Sequence, residues 1–162
     1  GYLPLSAVLT TNKVYNAFYD DSQNLTAFLH SHSYTGNPLG CSAALATLNI
    51  FEQDNVIEKN RILSKKMSEV TEQFKDHPQI AEVRQTGMIV AIEMAKDKQT
   101  KEPYPWQERR GLQVYQHALK NGALLRPLGN VVYFMPPYVI SSEQIEIIAR
   151  VAFEGIDLAT RA

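Results

Sequence analysis

The sequence predicts a mixed α/β chain, and three observations carry that prediction. Apolar residues recur at helical spacing through 38–53 and 55–75. From residue 78 onward, apolar runs bounded by glycine, proline and asparagine give the order strand, helix, strand, strand, helix, an α+β layer. Of the 162 residues, 44% are hydrophobic, enough to bury one core or a little more.

The elements follow in order. In "GYLPLSAVLTT", Leu3, Leu5, Ala7 and Leu9 alternate with other types, which predicts a strand over 3–9. A buried-looking strand with nothing before it reads as the interior of a longer protein, so the chain is expected to be a C-terminal piece. Thr11 and Asn12 then open a short helix, "NKVYNAFYD". Residues 20–27 are a polar loop. Residues 28–34 read as extended, with Phe28, His30, His32 and Tyr34 on one side and Leu29, Ser31 and Ser33 on the other. Gly36-Asn37-Pro38 ends that segment, and Pro38 suits the first turn of an Ala- and Leu-rich helix over 38–53.

A second helix runs over 55–75, with Val56, Ile57, Ile62, Leu63, Met67, Val70 and Phe74 on its apolar face. The composition changes near 53–56, which divides the chain into 1–54 and 55–162. "AEVRQTGMIVAIEMA" reads as a strand pair bent at Gly87, and "KDKQTKEPYPW" as a loop. An amphipathic helix over 106–120 stops at Asn121-Gly122. "ALLRPLG" and "NVVYFMPPY" form two strands around a Gly-Asn turn. A last helix spans Ser141 to Ala159, with Ser142 as its cap.

The totals exclude several classes. A net charge of −1 without a basic block argues against nucleic acid as a partner. A single cysteine, Cys41, excludes a disulfide framework and a multi-cysteine zinc site. No stretch approaches the roughly 20 apolar residues of a membrane span, so a cytoplasmic protein without membrane contact is expected.

The chemistry concentrates in "FLHSHSYTGNPLGCSAALATL", residues 28–48. His30 and His32 point the same way on an extended segment, with Asp20 or Asp21 near in sequence, but no third metal ligand is defined. Ser31 and Ser33 neighbour histidines, yet no Gly-x-Ser-x-Gly elbow supports a hydrolase. An anion site fits the residue types better: Ser31, Ser33, Tyr34 and Thr35 supply donors just before a helix start. On composition alone, a loop whose histidines satisfy buried backbone groups explains the stretch equally well.

Three segments read together go further. "GYLPLSAVLTT", "HSHSYTGNPLGCSAALATL" and "LLRPLGNVVYFMPPYVI", in this order and spacing, resemble the class III pyridoxal-phosphate-dependent aminotransferases across essentially the whole chain. The resemblance implies a C-terminal part of the fold type I transferase: the end of a large cofactor-binding domain over 1–54 and an α+β small domain over 55–162. "RPLGNVVYFMPPY" is its most specific part. It resembles the branch that aminates 8-amino-7-oxononanoate to 7,8-diaminononanoate in biotin biosynthesis, with S-adenosylmethionine or lysine as amino donor. The implied cofactor is pyridoxal 5'-phosphate and the implied assembly a homodimer with shared active sites.

The resemblance also assigns residues. Gly1 matches the last glycine of the family's Lys-x-x-Thr-Gly-Gly stretch, so the Schiff-base lysine is expected just upstream and no catalytic residue within the chain. The isolated 162 residues are therefore expected to be inactive. Ser33, with His32, matches the segment that reaches the cofactor phosphate of the neighbouring subunit. Ser31-His32 stands where other members often have Gly-Pro. Arg126 matches the arginine that binds the substrate carboxylate, Tyr133 a tyrosine beside the apolar substrate chain, and Gly1 and Ser31 fall among the substrate contacts. Arg84 and Gly87 match a structural motif of the small domain. Two other readings stay open: another ω-amino acid transaminase of the class, and a non-catalytic folding or interaction module.

Overall fold

The computed structural model describes residues 2–161. The chain divides into two compact units, Gly1–Asn55 and Val56–Ala162.

In the first unit, helix α1 (Asn12–Asn16) is capped by Thr11, whose Oγ1 accepts the Val14 N–H. The expected strand over 3–9 does not form: residues 4–10 carry no regular structure. Alternation offers a strand a face, but a ladder needs a partner, and the described residues of this unit supply none. Pro4 also lacks the N–H that a ladder would use. Helix α2 (Pro38–Gln53) starts where expected. Pro38 occupies its first turn, and Asn37 caps it by accepting the Leu39 N–H at 3.0 Å. Leu5 leans on Gly40, where an added Cβ would meet Leu5 Cδ1 at 3.6 Å. Gly40 is the one buried residue among the described residues of this unit, while Val8 and Leu9 are 93% and 95% exposed. The unit thus holds its shape through local hydrogen bonds and ring contacts rather than a core of its own.

The second unit has a core. Helix α3 (Val56–Thr71) continues as a 3₁₀ turn to Asp76, in place of one helix to residue 75. Strands β1 (Ile80–Thr86) and β2 (Ile89–Met94) form the expected hairpin, with Gly87 at φ +54° in its turn. Ser64 Oγ on α3 donates to Gly87 O, which ties the hairpin tip to the helix.

The expected helix over 106–120 is split. A 3₁₀ turn (Trp106–Glu108) ends at Arg109, which sits in the left-handed region at φ 48°, and α4 (Arg110–Lys120) begins only after it. The far end of α4 behaves as expected. Gly122 takes φ +76°, and the Gly122 and Ala123 N–H groups donate back to Leu119 O and Ala118 O. Strand β3 (Arg126–Leu128) is shorter than its apolar run, and it turns through Gly129-Asn130 into β4 (Val131–Phe134). Helix α5 (Ser142–Thr160) is capped by Ser141 rather than Ser142. Its hydroxyl accepts the Gln144 N–H while Gln144 Oε1 accepts the Ser141 N–H, a reciprocal box.

All pairings are antiparallel, in the order β1-β2-β4-β3. Val90, Ile92, Met94, Val132 and Phe134 alternate onto one face and meet Met67, Phe74, Val114, Ile145 and Ile156 from the helical side. Gly155 brings α5 against α4, since a Cβ there would lie 3.1 Å from Val114 Cγ1.

His77 joins this core from the end of the 3₁₀ turn. It is 7% exposed, its Nδ1 accepts the Gln79 N–H, and its Nε2 lies 3.8 Å from Asp157 Oδ1. Burial lowers its pKa from 6.5; Asp157 opposes that shift, and Lys98, which donates to His77 O, adds to it. The folded state therefore resists a proton that the unfolded chain accepts near pH 6.5. The stabilisation is full above that pH and is lost as pH falls toward the folded pKa. Urea midpoints should drop between pH 7.5 and 5.5, and His77→Asn, which keeps an acceptor for Gln79, should flatten that slope. An equal slope in the variant would acquit His77.

Candidate functional site

The serine-histidine stretch folds as an irregular extended segment followed by a tight turn. Its rings form a ladder: Phe18 on Phe28 at 5.6 Å, Phe28 on His30 at 5.5 Å, and His30 edge-on to His32 at 5.8 Å. The expected alternation therefore holds through His32. It ends there, because residues 32–35 turn, with the Thr35 N–H donating to His32 O at 3.0 Å, and Tyr34 leaves the ladder. Asn37 N–H donates to Tyr34 O, and Gly36 bridges the two turns at φ +72°.

Ser31 and Ser33 are exposed and have no hydrogen-bond partner among the described residues. The start of α2 contributes less than expected. Pro38 has no N–H, Leu39 N–H is taken by the Asn37 side chain, and Cys41 N–H by Asn37 O. Thr35 is tied back onto the turn, because its Oγ1 accepts the His32 N–H at 3.4 Å and lies 3.4 Å from His32 Nδ1. The side-chain hydroxyls of this stretch without a hydrogen-bond partner among the described residues are those of Ser31, Ser33 and Tyr34, and the outer nitrogen of His32 lies on the same turn. Open hydroxyls and a ring nitrogen on one exposed turn suit a phosphate, which accepts hydrogen bonds from every side. Among the described residues no three His, Cys, Asp or Glu side chains gather in a metal-binding group.

The second candidate lies in the Val56–Ala162 unit. Arg126 and Tyr133 are cross-strand partners between β3 and β4. The same row continues through Ala91 and Arg84, and the next row holds Leu128, Val131, Glu93 and Glu82. These residues form the sheet face opposite the core, because the alternate row of Val132 and Ile92 is fully buried.

That face has two halves. On β1 and β2 the charges are matched. Arg84 bonds Glu93 at 2.7 Å and Glu82 at 3.1 Å, which holds the guanidinium more firmly protonated, and Lys101 approaches Glu82 at 3.5 Å. On β3 and β4 the neighbours are apolar, and Arg126 is exposed with no ion pair among the described residues. Tyr133 also lines an apolar groove of about 680 Å³ that includes Leu124, Met135, Val139 and Ile147. An unpaired guanidinium beside an apolar strip can bind a planar carboxylate through two parallel hydrogen bonds.

Sequence reasoning missed the clip made by Thr35, whose only signal was a hydroxyl three residues after His32. It also missed the exposure of Leu124 and Leu128, which the alternation of 124, 126 and 128 already placed on one face. Gly1 lies outside the described residues.

The model of the family described as "Aminotransferase class-III" matches residues 1–153. The adenosylmethionine-8-amino-7-oxononanoate aminotransferase of Anoxybacillus flavithermus is 43% identical over 156 residues, which are 96% of this chain and 34% of that protein. The crystal structure of the enzyme of the same name from Methanocaldococcus jannaschii superposes with a TM-score of 0.85 at 40% identity, covering 92% of this chain and 34% of that one. An omega transaminase from Pseudomonas jessenii in complex with PMP gives a TM-score of 0.76 at 28% identity, covering 86% and 31%. The chain spans about a third of the length of the curated relatives it matches. Its architecture is that of part of a fold type I transaminase. By the match over 1–153, the chain belongs to the class III aminotransferase family.

Proposed function

We propose that this chain is the C-terminal part of a pyridoxal-phosphate-dependent aminotransferase that converts 8-amino-7-oxononanoate to 7,8-diaminononanoate in biotin biosynthesis. In this reading residues 1–54 are the end of the large domain and residues 55–162 the small domain. The observation that carries it is Arg126, an unpaired guanidinium opposite Tyr133 on an apolar strip. The substrate is a carboxylate on a long polymethylene chain, and that strip complements both parts.

When bound, the cofactor supplies an electron sink that makes the bonds at the amino-bearing carbon labile. The residues of this chain bind and orient. Arg126 takes the substrate carboxylate, and Tyr133 lies along its chain. Ser33 and His32 donate to the cofactor phosphate of the neighbouring subunit in a homodimer, and Ser31 and Gly1 contact substrate. The lysine that moves the proton belongs to the preceding part of the protein. The amino donor is S-adenosylmethionine or lysine, and the enzyme works in the cytoplasm. The exposed apolar surface of the first unit supports an assembly in which other parts of the enzyme cover it.

As amino acceptor, 8-amino-7-oxononanoate should be favoured by about 100-fold in kcat/KM over the short oxo acids that correspond to 4-aminobutyrate and ornithine, because several methylenes of apolar contact separate them. Equal use of the oxo acid of 4-aminobutyrate would replace this reading with a general ω-amino acid transaminase. Assays with S-adenosylmethionine and with lysine separate the two donors.

A further inference from the structure

Thr35 makes two contacts through one hydroxyl. The His32 N–H donates to its Oγ1 at 3.4 Å, closing the turn beside the backbone bond from Thr35 N–H to His32 O. The same oxygen lies 3.4 Å from His32 Nδ1. Having accepted the amide, the hydroxyl still has one proton to give, and Nδ1 is the acceptor within its reach among the described residues. A neutral imidazole that accepts at Nδ1 carries its own proton on Nε2. The ring also meets His30 in an edge contact, and His30 stands against Phe28, which packs on Phe18.

We propose that Thr35 is a positioning residue: its hydroxyl fixes His32 in the Nε2–H tautomer and holds the turn so that His32 Nε2–H and the Ser33 hydroxyl donate together to the cofactor phosphate. This inference rests on the phosphate reading of the loop. Ser33 sits in the middle of the clipped turn, so the same hydroxyl that sets the imidazole also limits the conformations open to Ser33. Without it the turn keeps only its backbone bond, and His32 Nδ1 is free to take the proton and turn its acceptor outward. An outward acceptor would repel a phosphate that the donor attracts.

The test uses the intact protein and measures dissociation constants for pyridoxal phosphate and for pyridoxal, which lacks the phosphate. Thr35→Val keeps the shape and removes the hydroxyl, Thr35→Ser restores it, and Ser33→Ala removes the direct donor. The expected result is a rise of about tenfold in the pyridoxal phosphate dissociation constant for Thr35→Val. Thr35→Ser should recover most of that loss, and pyridoxal affinity should stay the same in every variant. Unchanged pyridoxal phosphate affinity in Thr35→Val together with weakened binding in Ser33→Ala overturns the role of Thr35 and leaves the phosphate reading standing. Unchanged affinity in Ser33→Ala overturns both. Independently, the ring ¹⁵N shifts of His32 in histidine-labelled wild-type protein, assigned with His32→Gln, should report a pyridine-like Nδ1. A protonated Nδ1 overturns the proposal even if Thr35→Val does not fold.

Discussion

Replacing Arg126 with alanine is expected to lower kcat/KM for 8-amino-7-oxononanoate by about 100-fold or more in the intact enzyme. The guanidinium is exposed, unpaired among the described residues and set among apolar neighbours, so in the proposed function a substrate carboxylate gains two charge-assisted hydrogen bonds there. Such bonds are worth roughly 1.5–3 kcal/mol each to a charged partner, and about 1.4 kcal/mol is tenfold in rate. The side chain supports nothing else, so the unfolding midpoint should not move. Arg126→Lys should recover only part of the loss, because an ammonium lacks the planar fork. An analogue of the substrate without its carboxylate should be handled equally by wild type and Arg126→Ala. Wild-type kcat/KM in the alanine variant would remove Arg126 from the site.

The largest expected loss of stability follows Gly111→Ala. In most helices that change would stabilise by about 0.5–1 kcal/mol. Here the added Cβ would stand 2.3 Å from Gly129 O and 2.7 Å from Pro127 Cβ. The first obstacle is backbone, in the turn that joins β3 to β4, and it cannot rotate away as a side chain would. Overpacking of this kind costs about 1–3 kcal/mol, occasionally more, and this contact belongs at the upper end. To relieve it, the hairpin must move off α4, and Arg126 and Tyr133 move with it. Gly111→Ala should therefore lower the urea midpoint and raise KM for the carboxylate substrate together. Unaltered stability would mean that the hairpin yields freely, and the site would then lack the rigid support assumed for it.

Local signals were legible. The start of α2 was written in Gly36-Asn37-Pro38 and the stop of α4 in Asn121-Gly122, because each depends on groups within about five residues. The hairpin at Gly87 and the turn at Gly129-Asn130 were legible for the same reason, as each needs a residue that tolerates positive φ. Of the face expected for the second helix, Leu63, Met67, Val70 and Phe74 meet the core, while Ile57 and Ile62 are exposed. The residue types of the candidate site were legible, a hydroxyl-rich turn before a helix and an arginine in an apolar strand, but an anion site was one of two equal readings of the first, and the carboxylate role of Arg126 came from the family resemblance.

What the chain could not state locally was decided by partners distant in sequence. Residues 3–9 have strand periodicity and form no strand, since periodicity describes a face and a ladder requires a neighbour. Arg84 and Arg126 are both strand arginines on the same sheet face, and only the register separates them. It sets Arg84 beside two carboxylates and Arg126 beside Tyr133. Sequence alone determined where helices start and stop and where the turns fall, because those properties reside in single side chains and their near neighbours. Tertiary structure decided which charge is neutralised and which stays open for a ligand, because electrostatic pairing depends on distances that only the folded sheet creates.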